Sequence, residues 1–318
     1  AAAEVGATAK ELRVELARQE FGGGAPPPRR CLGLGRGVRA LSTHAAAIPV
    51  TQVASVLKLN VGDEATMALT LHGKIGNIPA SDVVVAVDKE APHRIRIRGR
   101  VHEVSFYGPN LEIWTEISTL PGSSAFRIRD VLTNNGTFDE EFQIIYHANF
   151  GRPLLGKGAK LLAASEKIVP FNANAAKAIA QQALYAAPTK GFTEEVYKIY
   201  PKADNDGNAT AVLVNADADR GVTVRWPLAQ LPYLTQWKNT AAENTGYVTG
   251  IEPGTGFPHN RSYERKYGRV PKLGAGESRM FELEFAILAN AGEVKAAAAA
   301  VKELQGDKVP EVQKAPEE

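Results

Sequence analysis

Two short segments hold the groups best placed to move protons: Ile144-Ile145-Tyr146-His147-Ala148-Asn149-Phe150-Gly151 and Gly250-Ile251-Glu252-Pro253-Gly254-Thr255. In each, one titratable side chain sits inside a short apolar run that closes on Gly or Pro, the pattern by which a strand carries such a group to a cleft. Glutamate titrates well below neutrality and histidine near it, so His147 and Glu252 together supply an acceptor and a donor at cellular pH. That combination points to acid/base chemistry on a small molecule.

The elements that must position these groups read as strands. From about Ile48 to Leu288 the chain is a series of short runs rich in Val, Ile, Thr, Phe and Tyr, broken by turn residues every eight to twelve or so positions, as in all-β sandwiches. Arg94-Ile95-Arg96-Ile97-Arg98-Gly99-Arg100-Val101 places isoleucines on one face and arginines on the other, the mark of a half-solvated antiparallel strand. The arginines read as a wetted sheet face rather than a binding patch. Leu111–Ile117 and Ala125–Leu132 repeat the alternation, with Asn134-Asn135-Gly136 as the following turn, so three neighbouring strands in a meander are expected. The runs at Ala211–Asn215, Gly221–Trp226 and Arg279–Ala286 continue it, which makes one large antiparallel β-sandwich at 48–290 the expected architecture.

The flanks differ. Residues 1–47 are expected to be an irregular extension or linker: a possible short helix over Lys10–Glu20 is followed by Gly22-Gly23-Gly24-Ala25-Pro26-Pro27-Pro28-Arg29-Arg30, which regular structure does not accommodate. The charged and apolar parts of a secretory leader are not seen. Residues 291–318 read as an Ala-rich surface helix around Ala297–Leu304 and a polar Pro/Lys/Glu tail with a frayed end.

Composition narrows the function classes. A chain of 318 residues with 44% hydrophobic and 23% charged residues has the balance of a globular protein, neither disordered nor fibrous. A net charge of +2 with scattered basic residues argues against nucleic acid as a partner. No run of roughly eighteen apolar residues is present, so no membrane span is expected. The single cysteine, Cys31, precludes an intrachain disulfide framework and fits a reducing compartment, so a cytoplasmic location is expected. Nothing in the sequence sets the oligomeric state.

Six landmarks, in order, resemble the aldose 1-epimerase (galactose mutarotase) superfamily, closest to its poorly characterised bacterial branch: Leu71-His72-Gly73-Lys74-Ile75-Gly76-Asn77-Ile78-Pro79-Ala80, the Tyr146–Gly151 element, Leu231-Pro232-Tyr233-Leu234-Thr235-Gln236-Trp237-Lys238, Gly250–Thr255, Asn260-Arg261-Ser262 and Gly274-Ala275-Gly276-Glu277-Ser278. The resemblance spans about residues 66 to 288 and implies a β-supersandwich with a sugar cleft on one face. It also implies that His147 is the general acid toward the ring oxygen, that Glu252 takes the proton of the anomeric hydroxyl, and that no metal or other cofactor is needed. His72 would line the same cleft, unless it is a strand-end histidine satisfied by backbone. Asn149 either binds a sugar hydroxyl or stabilises the turn at Gly151, and Trp237 either stacks on a sugar face or packs as a buried aromatic. Arg261 either forks onto a hydroxyl or acidic substituent or forms a structural ion pair. His259 would border the cleft, while His44, His93 and His102 read as surface residues.

The sequence departs from the superfamily in one place. The strand-rich lead-in before Leu71-His72-Gly73, which in relatives brings an arginine to the cleft, is short, and Arg36 is its only faint counterpart. The rival to catalysis is therefore a carbohydrate-binding protein of the same fold without turnover. A metal-dependent lyase or isomerase using His72, His147 and Glu252 as ligands is a third class, but the spacings give no His-x-x-x-His motif.

Overall fold

The computed structural model describes residues 45–47, 72–106 and 108–317. Cys31, Arg36, His44, the expected helix at 10–20 and the lead-in at 48–71 lie outside the described residues. In chain order the first strands are β1 (Ala45–Ala47), β2 (Ser81–Val87), β3 (Ile95–Val104), β4 (Asn110–Thr119), β5 (Ala125–Asn134), β6 (Glu140–Glu141), β7 (Ile144–Tyr146), β8 (Ala148–Phe150) and β9 (Lys160–Ala163). They are followed by β10 (Ser165–Pro170), β11 (Glu195–Pro201), β12 (Asn208–Val214), β13 (Gly221–Pro227), β14 (Tyr233–Asn239), β15 (Val248–Gly254), β16 (Lys272–Leu273), β17 (Ser278–Leu288) and β18 (Glu311–Val312). Among the described residues three α-helices, α1 (Ala173–Lys177), α2 (Arg261–Lys266) and α3 (Ala291–Gln305), lie between or after them.

The strands form two large sheets, ordered β2-β3-β4-β5-β17-β13-β12-β9 and β1-β7-β15-β14-β11-β10-β18, with β8 also on β15. The expected meander is there: β3, β4 and β5 are successive antiparallel neighbours. Period-two alternation decides which side of each strand is buried. On β5, Ile128 and Leu132 point inward, and on β17 Phe281, Leu283 and Phe285 do the same. They meet Ile144, Ala148, Ile199, Leu234 and Ile251 from the facing sheet in one core. Two polar side chains cross that core as a pair: the Tyr146 hydroxyl donates to Asp130 Oδ2 at 2.7 Å. Burial pushes the Asp130 carboxyl up to about 7.

The outward face of the first sheet is an ion-pair ladder. Arg127 Nε reaches Glu284 at 2.6 Å, Arg129 reaches Glu282 at 3.6 Å, and Arg96 lies 2.8 Å from both Asp88 and Glu116. A groove of about 390 Å³ runs over these arginines, but each named cation already faces a carboxylate. The expectation of a wetted face fits this arrangement. The isoleucine side of β3 is less covered than the alternation implies, with Ile97 44% exposed.

Beyond β17, α3 starts on a reciprocal cap. Asn290 Oδ1 accepts from the Glu293 amide, and Glu293 Oε2 accepts from the Ala289 amide. Val294 and Val301, two turns apart, bury against Val212, Val214 and Leu288. The polar tail is not frayed as expected. Its β18 pairs in parallel with β10, and the Gln313 amide donates to Ile168. Edge backbone groups and a buried ion pair described below hold it, neither of which depends on apolar content.

Candidate functional site

The second sheet has two faces with opposite characters. Tyr146, Ala148, Ile199, Leu234 and Ile251 point into the core, so by alternation His147, Asn149, Lys198, Thr235, Trp237, Gly250 and Glu252 point to the other side. Histidine and glutamate meet there because of register. Gly254 stands opposite Ile145 and Ile251 opposite Ala148, which sets Glu252 opposite His147 across adjacent antiparallel strands. Pro253 has no amide hydrogen, and the ladder opens between β7 and β8 at this point. His147 Nε2 lies 3.1 Å from Glu252 Oε1.

The residues flanking Glu252 shape the space for its carboxylate. A Cβ built on Gly250 would come within 2.1 Å of Glu252 Oε1, so only glycine lets the side chain fold back along its own strand. A Cβ on Gly254 would meet the Ile144 carbonyl at 2.9 Å, which permits close approach to β7. Thr255 Oγ1 then accepts from the Ile144 amide at 3.0 Å and fixes the end of the strand.

Electrostatics follow from burial. Glu252 is 3% exposed, and burial, reinforced by the charge of Glu194, pushes its carboxyl up to about 8. A protonated His147 at 3.1 Å acts in the opposite sense. Glu194 also accepts from Trp237 Nε1 at 2.7 Å. Trp237 is half-buried on the face opposite the core, with its ring edge-on to His147 at 5.5 Å between centroids. The His72 ring meets His147 from another side, also edge-on at 5.5 Å. Asn149 stands opposite Gly250, and its Oδ1 is buried without a hydrogen-bond partner among the described residues. Asn149, His72 and Trp237 are thus gathered around the His147–Glu252 pair.

Arg261 lies on the short helix α2. It is buried at the start of α2 and, with Lys74, acts on Glu103 of β3, whose carboxyl burial nonetheless pushes up to about 7. His259 is half-buried, stacked on Phe171 at 4.0 Å and tilted against Tyr263 at 4.0 Å. Burial, together with Lys198 and Arg269, pulls its imidazole down to about 2. His93 is exposed in the turn between β2 and β3, and His102 on β3 lies 3.4 Å from Glu112. Among the described residues, no three His, Cys, Asp or Glu side chains form a metal-holding group, and no helix is long and apolar enough to cross a membrane.

Sequence reasoning passed over Thr235 and Lys198. Thr235 is two residues from Trp237 on one strand and therefore shares its face, a signal readable from period two alone. Its Oγ1 is buried without a hydrogen-bond partner among the described residues. Lys198 interrupts the apolar run Val196-Tyr197-Lys198-Ile199-Tyr200, which marks a lysine held inside the protein.

The family model described as "Domain of unknown function (DUF4432)" matches residues 55–287. Among curated proteins no match is found. A crystal structure from Klebsiella pneumoniae subsp. pneumoniae MGH 78578, provisionally described as an aldose 1-epimerase, is 43% identical, covers 78% of this chain and 64% of its own, and superimposes with a TM-score of 0.76. The present chain thus spans less than two thirds of that protein's length. A galactose mutarotase related enzyme from Lactobacillus acidophilus, 15% identical over 68% of this chain and 73% of its own, has a TM-score of 0.50 and shares the fold. The architecture is the galactose mutarotase-like one that the six landmarks implied.

Proposed function

Since this chain belongs to the DUF4432 family and has the galactose mutarotase-like fold, we propose that it interconverts the anomers of an aldose or a sugar derivative by acid/base ring opening and closure. The observation that carries this reading is the 3.1 Å separation of His147 Nε2 and Glu252 Oε1. In a cyclic sugar the anomeric hydroxyl and the ring oxygen hang on one carbon. The base for the first and the acid for the second must therefore be neighbours, as these two are.

Glu252 takes the proton of the anomeric hydroxyl while His147 gives one to the ring oxygen. The bond from the anomeric carbon to the ring oxygen breaks, and the freed carbonyl turns about the adjacent carbon–carbon bond. The same two groups then act in reverse and close the other anomer, with protons balanced at each stage. Burial supports the assignment of Glu252, because a carboxylate whose pKa is raised toward the working pH accepts a proton more readily than an exposed one. Each positioned transfer is worth roughly a hundred- to ten-thousandfold, so two suffice for a reaction that already proceeds slowly unaided. His72 and Trp237 hold the His147 ring from two sides, and Asn149 Oδ1 offers an acceptor for a sugar hydroxyl.

The test is polarimetry on freshly dissolved, anomerically pure sugars beside a calorimetric binding titration. Acceleration over the buffer rate that Glu252→Gln removes is the expected result. A protein that only binds carbohydrate would give heats of binding and leave the rate at background.

A further inference from the structure

Resting on the reading of this face as a sugar cleft, we propose that it extends into a carboxylate subsite built by Lys198, Arg269 and Tyr200, that the preferred substrate is an aldose bearing a carboxylate, and that Glu317 occupies the subsite as an internal stand-in which the sugar displaces.

The row of residues that leads there is set by register. Glu252 stands opposite Thr235, and Thr235 opposite Lys198, so the three lie in line across β15, β14 and β11 on one face. Two strand spacings separate the ends, about 10 Å. That is the span of one sugar ring with a hydrogen bond at each end. At the midpoint, the buried Thr235 Oγ1 still has capacity for a ring hydroxyl.

At the far end the chain has assembled an anion cradle. Lys198 Nζ lies 2.6 Å from Glu317 Oε2, Arg269 Nη1 lies 3.4 Å from the same oxygen, the Tyr200 hydroxyl donates to Glu317 Oε1 at 2.8 Å, and Lys167 Nζ lies 3.4 Å from Oε1. Lys198 is fully buried and Arg269 is 3% exposed. Burying such cations is costly unless they are paired. Arg269 has a second partner, Glu264, held in a fork at 2.7 and 2.8 Å. Three cations thus face two carboxylates, and with Glu317 withdrawn they face only Glu264. A second carboxylate is what the site requires, and the one it holds comes from a polar segment tied down mainly by β18 and by the Tyr263 hydroxyl. A carboxylate on a sugar reaching in from Glu252 would satisfy the same donors.

The experiment measures kcat/KM for anomer interconversion of galacturonate, galactose and galactose 6-phosphate with the wild type, Glu317→Gln and Lys198→Met. Calorimetric titration of galacturonate and thermal unfolding accompany each variant. A charge-assisted hydrogen bond gained or lost sets the expected scale at roughly tenfold or more. Glu317→Gln should raise the galacturonate-to-galactose ratio and tighten galacturonate binding, whereas Lys198→Met should lower both. Acceleration of all sugars with a ratio that neither variant moves would overturn the subsite and leave the catalytic reading intact. Binding that follows Glu317 and Lys198 as stated, without acceleration of any sugar, would support the subsite and remove the catalytic reading. Preference for the phosphate in both the wild type and Glu317→Gln would overturn the carboxylate assignment. Should Lys198→Met fail to fold, Glu317→Gln with its titration decides the matter alone.

Discussion

His147 and Glu252 stand directly opposite each other on adjacent antiparallel strands, and Pro253 opens the ladder beside them. Residues a hundred positions apart in the chain are thereby held as a cross-strand pair.

Glu252→Gln should lower anomer interconversion by about a hundredfold or more, the scale of one positioned proton transfer. Sugar affinity measured by calorimetry should stay within a few fold of the wild type. Equal rates for both proteins in the polarimeter would remove the assignment of Glu252 as base.

The pH profile of kcat/KM should rise through the Glu252 titration. A base must be ionised to act, and burial with Glu194 nearby has pushed this carboxyl up to about 8, so the rising limb belongs near neutrality or above. A limb centred in the ordinary carboxylate range would contradict the environment described here.

The same burial sets a stability cost with the opposite pH sense. Because the folded-state pKa is raised from 4.5 to about 8, Glu252 is no burden below the lower value, and stability is lost progressively as pH rises between the two. At pH 7 the cost is on the order of 3 kcal/mol before the His147 contact returns part of it. Glu252→Gln should therefore raise the melting temperature at pH 8 while changing it little at pH 4, as followed by circular dichroism.

Gly250→Ala should cripple turnover without unfolding the protein. The added methyl would collide with the Glu252 carboxylate, the end of a flexible side chain that can swing away. A drop in kcat approaching that of Glu252→Gln, with a retained cooperative melt, is the expected outcome. Near-normal kcat would mean that the position of the carboxylate is unimportant.

Tyr146→Phe tests the core rather than the cleft. Removing the hydroxyl leaves Asp130 buried without its 2.7 Å donor, at a cost of about 1 to 3 kcal/mol. Asp130 is raised from 3.8 to about 7, so stability again falls as pH climbs between those values, and the variant should lose it more steeply. Urea titrations at pH 5 and pH 8 would show the difference.

Much of this was legible in the sequence, for identifiable reasons. Strict alternation in β4, β5 and β17 announced strands with one buried side, because period two leaves few alternatives. Gly250 and Gly254 around Glu252 could be read as motif positions, but not why they are glycines, since the obstacles are a folded-back carboxylate and a neighbouring carbonyl. Pairing of His147 with Glu252 depends on register, which no single strand specifies. Arg261 illustrates the limit: its place in a motif names the residue, whereas its burial on α2 and its influence on the Glu103 carboxyl come from packing that the motif does not specify. The tail was misjudged because a parallel edge pairing and one buried carboxylate leave no hydrophobic trace.

The two residues of β18 also occupy the outer hydrogen-bonding rim of β10. An uncovered rim of that kind is a template on which a second molecule can continue the sheet. By lying alongside β10 in parallel, the segment that delivers Glu317 also covers that rim, so detaching it would bare backbone groups to which another strand can pair.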